Sequence, residues 1–241
     1  VFVASCGTCR NCARGKPNVC QRWPEMRNRG ALLSGGRRLS RNGAFIAHYS
    51  GISCFAEYAV VARSSLVKID ASVPLVDAAM FGCAVQTGVG AAINTAGVRP
   101  GDVVAVIGLG GVGLCCMLGA RMAGAQRVIA IDLSDEKLGL ARQLGATDTY
   151  NATDPECAAA IRAATGGGVD YAFEMAGSIK ALALGTEIIG RGGSVVTAGL
   201  SPAAATFALN HTSLVGDEKS IRGCYMGSCV PERDVPMFVE L

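Results

Sequence analysis

From residue 103 onward the chain alternates short apolar, β-branched runs with stretches of helical periodicity. Val103–Ile107 is the first such run, and Val112–Ala123 carries apolar positions at helical spacing. The pattern then repeats. It predicts strands over Arg127–Ile131, Thr147–Tyr150, Val169–Phe173, Ser194–Ala198 and Ser220–Tyr225. It predicts helices over Asp135–Leu144, Pro155–Thr165 and Ser178–Ile189. Strands that alternate with helices form right-handed βαβ units, so the expected fold class is α/β with a doubly wound parallel sheet covered on both faces.

The first 70 residues read differently, as mostly β and loop. Val1–Ala4 has a strand pattern and leads into a Cys-rich loop that ends at Cys20. Residues 21–51 are polar, Gly-rich and basic, with Arg22, Arg27, Arg29, Arg37, Arg38 and Arg41. They are expected to form a solvated surface loop, with a basic anion-binding patch as the sharper alternative. Residues 54–69 predict two β segments around a Ser-Ser turn. Residues 74–97 are small and helical in tendency, with Asp77 near a helix start after Pro74.

Composition narrows the function classes. The 241 residues are 50% hydrophobic and include 32 glycines, enough for a substantial core with many tight turns. The 22 basic and 19 acidic residues leave a net charge of only +3, which argues against nucleic acid or membrane binding. No uninterrupted apolar stretch approaches membrane-spanning length, and no signal peptide is visible. Eleven cysteines is an odd number, and four of them crowd into residues 6–20. That pattern suits a reducing compartment, the cytoplasm, and one metal site.

Two motifs carry chemistry. In VVAVIGLGGVG, Gly108, Gly110 and Gly113 form G-x-G-x-x-G between a predicted strand and a predicted helix. Gly108 allows the tight turn, Gly110 lets the backbone approach a pyrophosphate, and Gly113 lets the helix pack close to the strand. The helix N-terminus offers free N–H groups to the phosphates. Gly111 and Val112 complete the turn. Asp132 ends the second strand, where an acid hydrogen-bonds the ribose hydroxyls of NAD and repels the extra phosphate of NADP. Lys137, one turn into the next helix, reaches the same ribose. The expected cofactor is therefore NAD.

The second motif is C-x2-C-x2-C-x7-C at Cys6, Cys9, Cys12 and Cys20. Four thiolates with no histidine make a closed, structural zinc site. An iron–sulfur cluster is the competing metal, but its usual spacing has three residues before the last cysteine and a proline after it. Cys54, Cys115, Cys116, Cys157, Cys224 and Cys229 read as small apolar fillers. His48 and His211 read as surface or packing residues, with His211 at the start of a short helix.

These motifs in this order resemble the zinc-dependent alcohol dehydrogenases of the medium-chain dehydrogenase family. FAEYAVV at Phe55–Val61, GCAVQTGVGA at Gly82–Ala91 and CYMGS at Cys224–Ser228 extend the likeness over nearly the whole chain. The resemblance implies part of a mostly β, GroES-like catalytic domain over 1–84, a Rossmann NAD-binding domain over 85–228, and the start of a return to the catalytic domain over 229–241. Cys83 then falls where the family places a thiolate ligand of a catalytic zinc, and Thr87 and Val112 fall beside the nicotinamide. Ala198, Gly199 and Leu200 fall where backbone groups hold the carboxamide.

The implied reaction is hydride transfer between a primary or secondary alcohol and NAD, by a homodimer or homotetramer with one structural and one catalytic zinc. The implied partner is a small alcohol or carbonyl compound, with no nucleic acid and no membrane. The family's other two catalytic-zinc ligands, a Cys and a His in a Gly-His-Glu setting, have no counterpart here. The chain is therefore expected to be truncated at both ends and inactive by itself. A zinc-free quinone or enoyl reductase of the same fold, and a non-enzymatic zinc- and nucleotide-binding relative, are the alternatives.

Overall fold

The computed structural model describes all 241 residues, which divide into two compact units. One comprises Val1–Gln86 and Ser228–Leu241, the other Thr87–Gly227.

The first unit has little regular structure. Its helices are α1 (Arg10–Ala13), α2 (Trp23–Arg29) and α3 (Leu75–Ala78), with Pro231–Glu240 at the C-terminus. Its only strands are β1 (Leu39–Arg41) and β2 (Ala44–Ile46), an antiparallel hairpin. Helix α2 ends on Gly30 in the left-handed conformation (φ 56°), the usual helix stop. The six arginines of residues 21–51 are exposed, as a solvated face requires.

Three expectations for this unit fail. Val1–Ala4 is not a strand, residues 21–51 contain a helix and a hairpin, and residues 54–69 form no strand, only a short 3-10 turn at Arg63–Ser65. The alternation in FAEYAVV is real, but a strand needs a neighbour for its N–H and C=O groups. The hairpin strands pair only with each other, and Phe55, Tyr58 and Val60 lie exposed.

The second unit is a six-stranded, wholly parallel sheet. Its strands are β3 (Val103–Ile107), β4 (Arg127–Asp132), β5 (Asp148–Asn151), β6 (Val169–Glu174), β7 (Ile189–Thr197) and β8 (Ser220–Gly223), in the spatial order β5-β4-β3-β6-β7-β8. Helix α4 (Ala84–Gly90) continues as a π-helical turn, Ala91–Ala96. Helices α5 (Gly111–Met122), α6 (Asp135–Gln143), α7 (Cys157–Ala164) and α8 (Ile179–Ile188) follow successive strands, and α9 (His211–Gly216) precedes β8. Each expected strand and helix of this unit forms, with ends shifted by a few residues. The largest difference is β7, which starts at Ile189 instead of Ser194.

Alternate residues of the central strands feed two cores. Val104, Val106, Val128 and Ala130 pack with Met117, Ala120 and Phe173, while Ala105, Ile107, Ile129 and Ile131 pack with Ile161, Ile188 and Val195. A strand buried on both faces reads as an unbroken apolar run, which is why these segments stand out in the sequence. The order reverses between β3 and β6, and a crevice opens beyond the C-terminal ends of those two strands. Parallel sheets bind ligands at such a switch point.

Candidate functional site

In the first unit, four sulfurs converge. Helix α1 begins one residue after Cys9 and carries Cys12, and a 3-10 turn at Pro17–Val19 delivers Cys20. Asn11 closes the loop by donating to the Val19 carbonyl at 2.7 Å. The sulfurs of Cys6, Cys9, Cys12 and Cys20 all lie within 4.8 Å of one another, and Cys9 Sγ is 4.0 Å from Cys20 Sγ. Four thiolates at Zn–S distances near 2.3 Å in a tetrahedron sit about 3.8 Å apart, so the set fits a zinc ion with little movement. Backbone amides aim at the sulfurs: Cys9 N–H at Cys6 (3.3 Å), Cys6 N–H at Cys20 (3.4 Å) and Gln21 N–H at Cys9 (3.5 Å). Such donors stabilise negative sulfur. The amide of Thr8, aided by that of Cys9, holds the Cys6 thiol down to about 6. The amides of Cys12 and Gln21 lower the Cys9 thiol, while burial pushes Cys12 up to about 12.

In the second unit, the turn between β3 and α5 is built from glycines, two of which leave no room for a side chain. Gly108 has φ +92°, and a Cβ there would meet Ala176 at 2.8 Å. A Cβ on Gly113 would lie 1.8 Å from the Gly108 carbonyl oxygen. Gly110, the N-cap of α5, has open space around it. Asp132 ends β4 with its side chain only 10% exposed. One carboxylate oxygen accepts from Leu109 N–H (2.7 Å) and the other from Ser134 N–H (3.0 Å), which fixes its direction. Lys137 Nζ lies 3.7 Å from it.

These residues border a crevice of about 650 Å³. Its walls include Ile107, Gly108, Leu109, Gly110, Asp132, Leu133, Lys137, Met175, Ala176 and Ser178. Gly110 and Asp132 thus share one cavity: open backbone for an anion on one side, a fixed carboxylate on the other. That donor set fits a dinucleotide.

The other expected site residues lie elsewhere. Gly111 and Val112 open α5. Ala198, Gly199 and Leu200 follow β7 outside the walls of this cavity, with Leu200 exposed. Thr87 is buried in α4, its hydroxyl 3.9 Å from Met226 Sδ. Cys83 is exposed and belongs to no cluster, since the four-cysteine lobe is the one group of metal-ligating side chains that converges. The residues present therefore do not fit a catalytic metal.

Among the expected fillers, Cys116, Cys157, Cys224 and Cys229 are buried and Cys115 is half-buried, but Cys54 is exposed. His48 is a packing residue: it is buried, and its Nε2 accepts from Arg38 N–H at 3.0 Å. Glu174, which motif reading does not single out, is buried at the end of β6 beside the crevice. Its signal in the sequence is an acid that closes a strand, just before the small residues Ala176–Ser178.

Residues 111–241 match the family model described as zinc-binding dehydrogenase. All of the chain aligns with S-(hydroxymethyl)glutathione dehydrogenase of Synechocystis sp. at 40% identity and spans 66% of that relative. Among solved structures, an alcohol dehydrogenase zinc-binding domain protein from Burkholderia ambifaria superimposes with a TM-score of 0.93 at 35% identity, over 98% of this chain and 65% of that one. Benzyl alcohol dehydrogenase from Acinetobacter calcoaceticus gives 0.91 at 34% identity, over 98% and 64%.

Proposed function

The chain belongs to the zinc-binding dehydrogenase family, and from that premise we propose that it serves an enzyme moving hydride between a primary or secondary alcohol and NAD, with an aldehyde or ketone as the other partner. The observation that carries this reading is the crevice, where Gly110 and the fixed carboxylate of Asp132 border one cavity. NAD, when bound, supplies the hydride acceptor. The residues act by placement. Gly108, Gly110, Gly111 and Gly113 admit the pyrophosphate to the α5 N-terminus, and Asp132 with Lys137 takes the ribose hydroxyls. Val112 and Thr87 flank the nicotinamide, and Ala198, Gly199 and Leu200 present backbone to its carboxamide. Residues 85–228 thus form the NAD-binding domain, while 1–84 and 229–241 belong to the catalytic one. Cys6, Cys9, Cys12 and Cys20 hold a structural zinc. Cys83 would offer one thiolate to a catalytic zinc, but no partner ligand for it lies among these residues.

The test is a titration with NADH and NADPH. NADH is expected to bind the more tightly, and Asp132→Gly to shift the preference toward NADPH, because the carboxylate that repels the 2′-phosphate is gone. A wild-type preference for NADPH of tenfold or more, about 1.4 kcal/mol, would refute the role given to Asp132.

No single helix is long and apolar enough to cross a membrane. The four cysteines gathered at Cys6–Cys20 as metal ligands suit a reducing, cytoplasmic setting. Strand β8 ends the sheet with one edge open. An open edge is a template for pairing with another chain, which supports a homodimer or homotetramer. Light scattering is expected to give twice or four times the monomer mass, and a monomer across the micromolar range would count against the assembly.

A further inference from the structure

Directly before the wall residues Met175 and Ala176 stands a buried carboxylate that neither the glycine motif nor Asp132 accounts for. Glu174 is 2% exposed. Its Oε1 accepts three successive backbone N–H groups, from Ala176 (2.9 Å), Gly177 (2.6 Å) and Ser178 (3.2 Å). Its Oε2 accepts the Thr197 hydroxyl at 2.7 Å. Three amides converging on one oxygen form the kind of nest that elsewhere captures an anion, and here the chain fills it with its own side chain. The main chain adds to this: the Glu174 carbonyl accepts Ala198 N–H at 3.0 Å and Gly199 N–H at 3.3 Å.

Glu174 therefore ties two loops together, the one leaving β6 and the one leaving β7. The first lies at the switch point, and the second packs against the first. The first loop rests on the phosphate turn, since Met175 N–H donates to the Ile107 carbonyl at 2.9 Å and Ala176 leaves no room for a side chain on Gly108. The two loops cross closely. A Cβ on Gly199 would lie 2.1 Å from Gly177 N and 2.8 Å from Glu174 Oε2, and Ser201 Oγ donates to the Gly177 carbonyl at 3.0 Å. Leaving three part-buried amides without their acceptor is unfavourable, so without Glu174 the Ala176–Ser178 backbone must turn to find other partners. In doing so it would move off Gly108.

We propose that Glu174 is a positioning residue for the dinucleotide: it sets the Met175–Ser178 loop against the phosphate turn and locks the Ala198–Leu200 loop to it. The proposal rests on the nicotinamide-dinucleotide reading of the crevice. It assigns Glu174 no contact with the reacting atoms.

The test measures NADH affinity by fluorescence titration of the 241-residue chain and three variants, with Tm and amide hydrogen exchange recorded alongside. Glu174→Ala is expected to raise the NADH Kd at least tenfold, with faster exchange at 176–178 and 198–199 in protein that still melts cooperatively. Glu174→Gln keeps an acceptor oxygen for the three amides and turns its NH2 toward Thr197, whose hydroxyl accepts as well as donates. It is expected to stay within threefold of wild type. Thr197→Val removes one arm only and is expected to raise Kd about threefold. It decides the matter if Glu174→Ala does not fold. A Glu174→Ala protein with a lowered Tm but unchanged Kd would make the residue merely structural and overturn the proposal. So would a Gln variant as weak as the Ala variant, or, with Glu174→Ala unfolded, a Thr197→Val Kd equal to wild type. Wild-type protein that binds no NADH would instead bring down the cofactor reading, and the proposal with it, before any variant is compared.

Discussion

Replacing Cys9 by serine is expected to remove the bound zinc and release the Cys6–Cys20 lobe. Wild-type protein should carry one zinc per chain and no iron or acid-labile sulfide, measured by plasma emission on metal-free buffers. The lobe has few internal contacts to hold it otherwise: α1 contains no buried residue, and its start lacks a side-chain cap. The ion therefore supplies much of the folding free energy locally, and structural zinc in small peptides is worth about 10–16 kcal/mol. Cys9 lies 4.0 Å from Cys20 and receives the Gln21 amide, and serine replaces its thiolate with a neutral hydroxyl that is a poor zinc ligand.

The same lobe should respond to pH in a set direction. A zinc-bound thiolate must lose its proton, so affinity falls wherever a ligand is protonated in the free protein. Cys6, held down to about 6, is already ionised at pH 7 and adds little dependence above that. Cys12, pushed up to about 12 by burial, remains a thiol and releases its proton on binding. Zinc affinity is therefore expected to weaken at least about tenfold per unit as pH falls from 8 to 6. A chelator competition that shows no dependence over that interval, or iron with sulfide in the purified protein, would sink the assignment.

The second large effect separates two glycines three residues apart. Gly113→Ala places a methyl group 1.8 Å from the Gly108 carbonyl oxygen, a backbone atom that cannot rotate away. Helix α5 must then lift from β3. Overpacking of this kind costs about 3 kcal/mol, a fall in Tm of roughly 6–12 °C for a domain of this size. Gly110→Ala differs on both counts. Its φ of −79° and ψ of −173° suit any residue, and its Cβ meets nothing within 4 Å. The fold should keep its Tm while NADH binding falls at least tenfold, because the methyl group occupies the space the pyrophosphate needs. Equal loss of Tm in both variants, measured by calorimetry, would show that Gly110 is structural and not a binding position.

What could be read from the sequence follows from how local each cause is. Strands β3 and β4 are announced by apolar runs, because a parallel strand covered on both faces must be apolar throughout, whereas the edge strands β5 and β8 carry polar residues and are legible only from the alternation of elements. The four-cysteine lobe is legible because fifteen consecutive residues contain all its ligands. Asp132 is legible because a strand end and a glycine turn fix its place. Phe55–Val61 misleads because its alternation is a property of the segment, whereas a strand is a property of a pair. Glu174 leaves only a faint signal, an acid at a strand end, because its partners are backbone amides just after it and a hydroxyl 23 residues away. Nothing in the side chains advertises where those amides point.

The strand order also governs how the crevice comes into being. Strands β3, β4 and β5 join neighbours along the chain, and β6, β7 and β8 do the same, but the seam between the two sets pairs Val104 with Tyr171. Closing that seam brings together segments 67 residues apart, a high-contact-order event that must pay loop entropy before it gains contacts. Either trio of strands can collect locally, yet neither contains a crevice. Until β6 docks on β3, Gly108 has no Ala176 against it. The cofactor pocket is therefore absent from every intermediate in which the two trios remain apart, and a nicotinamide ligand acts as a trap for the final docking step and not as a template for the early ones.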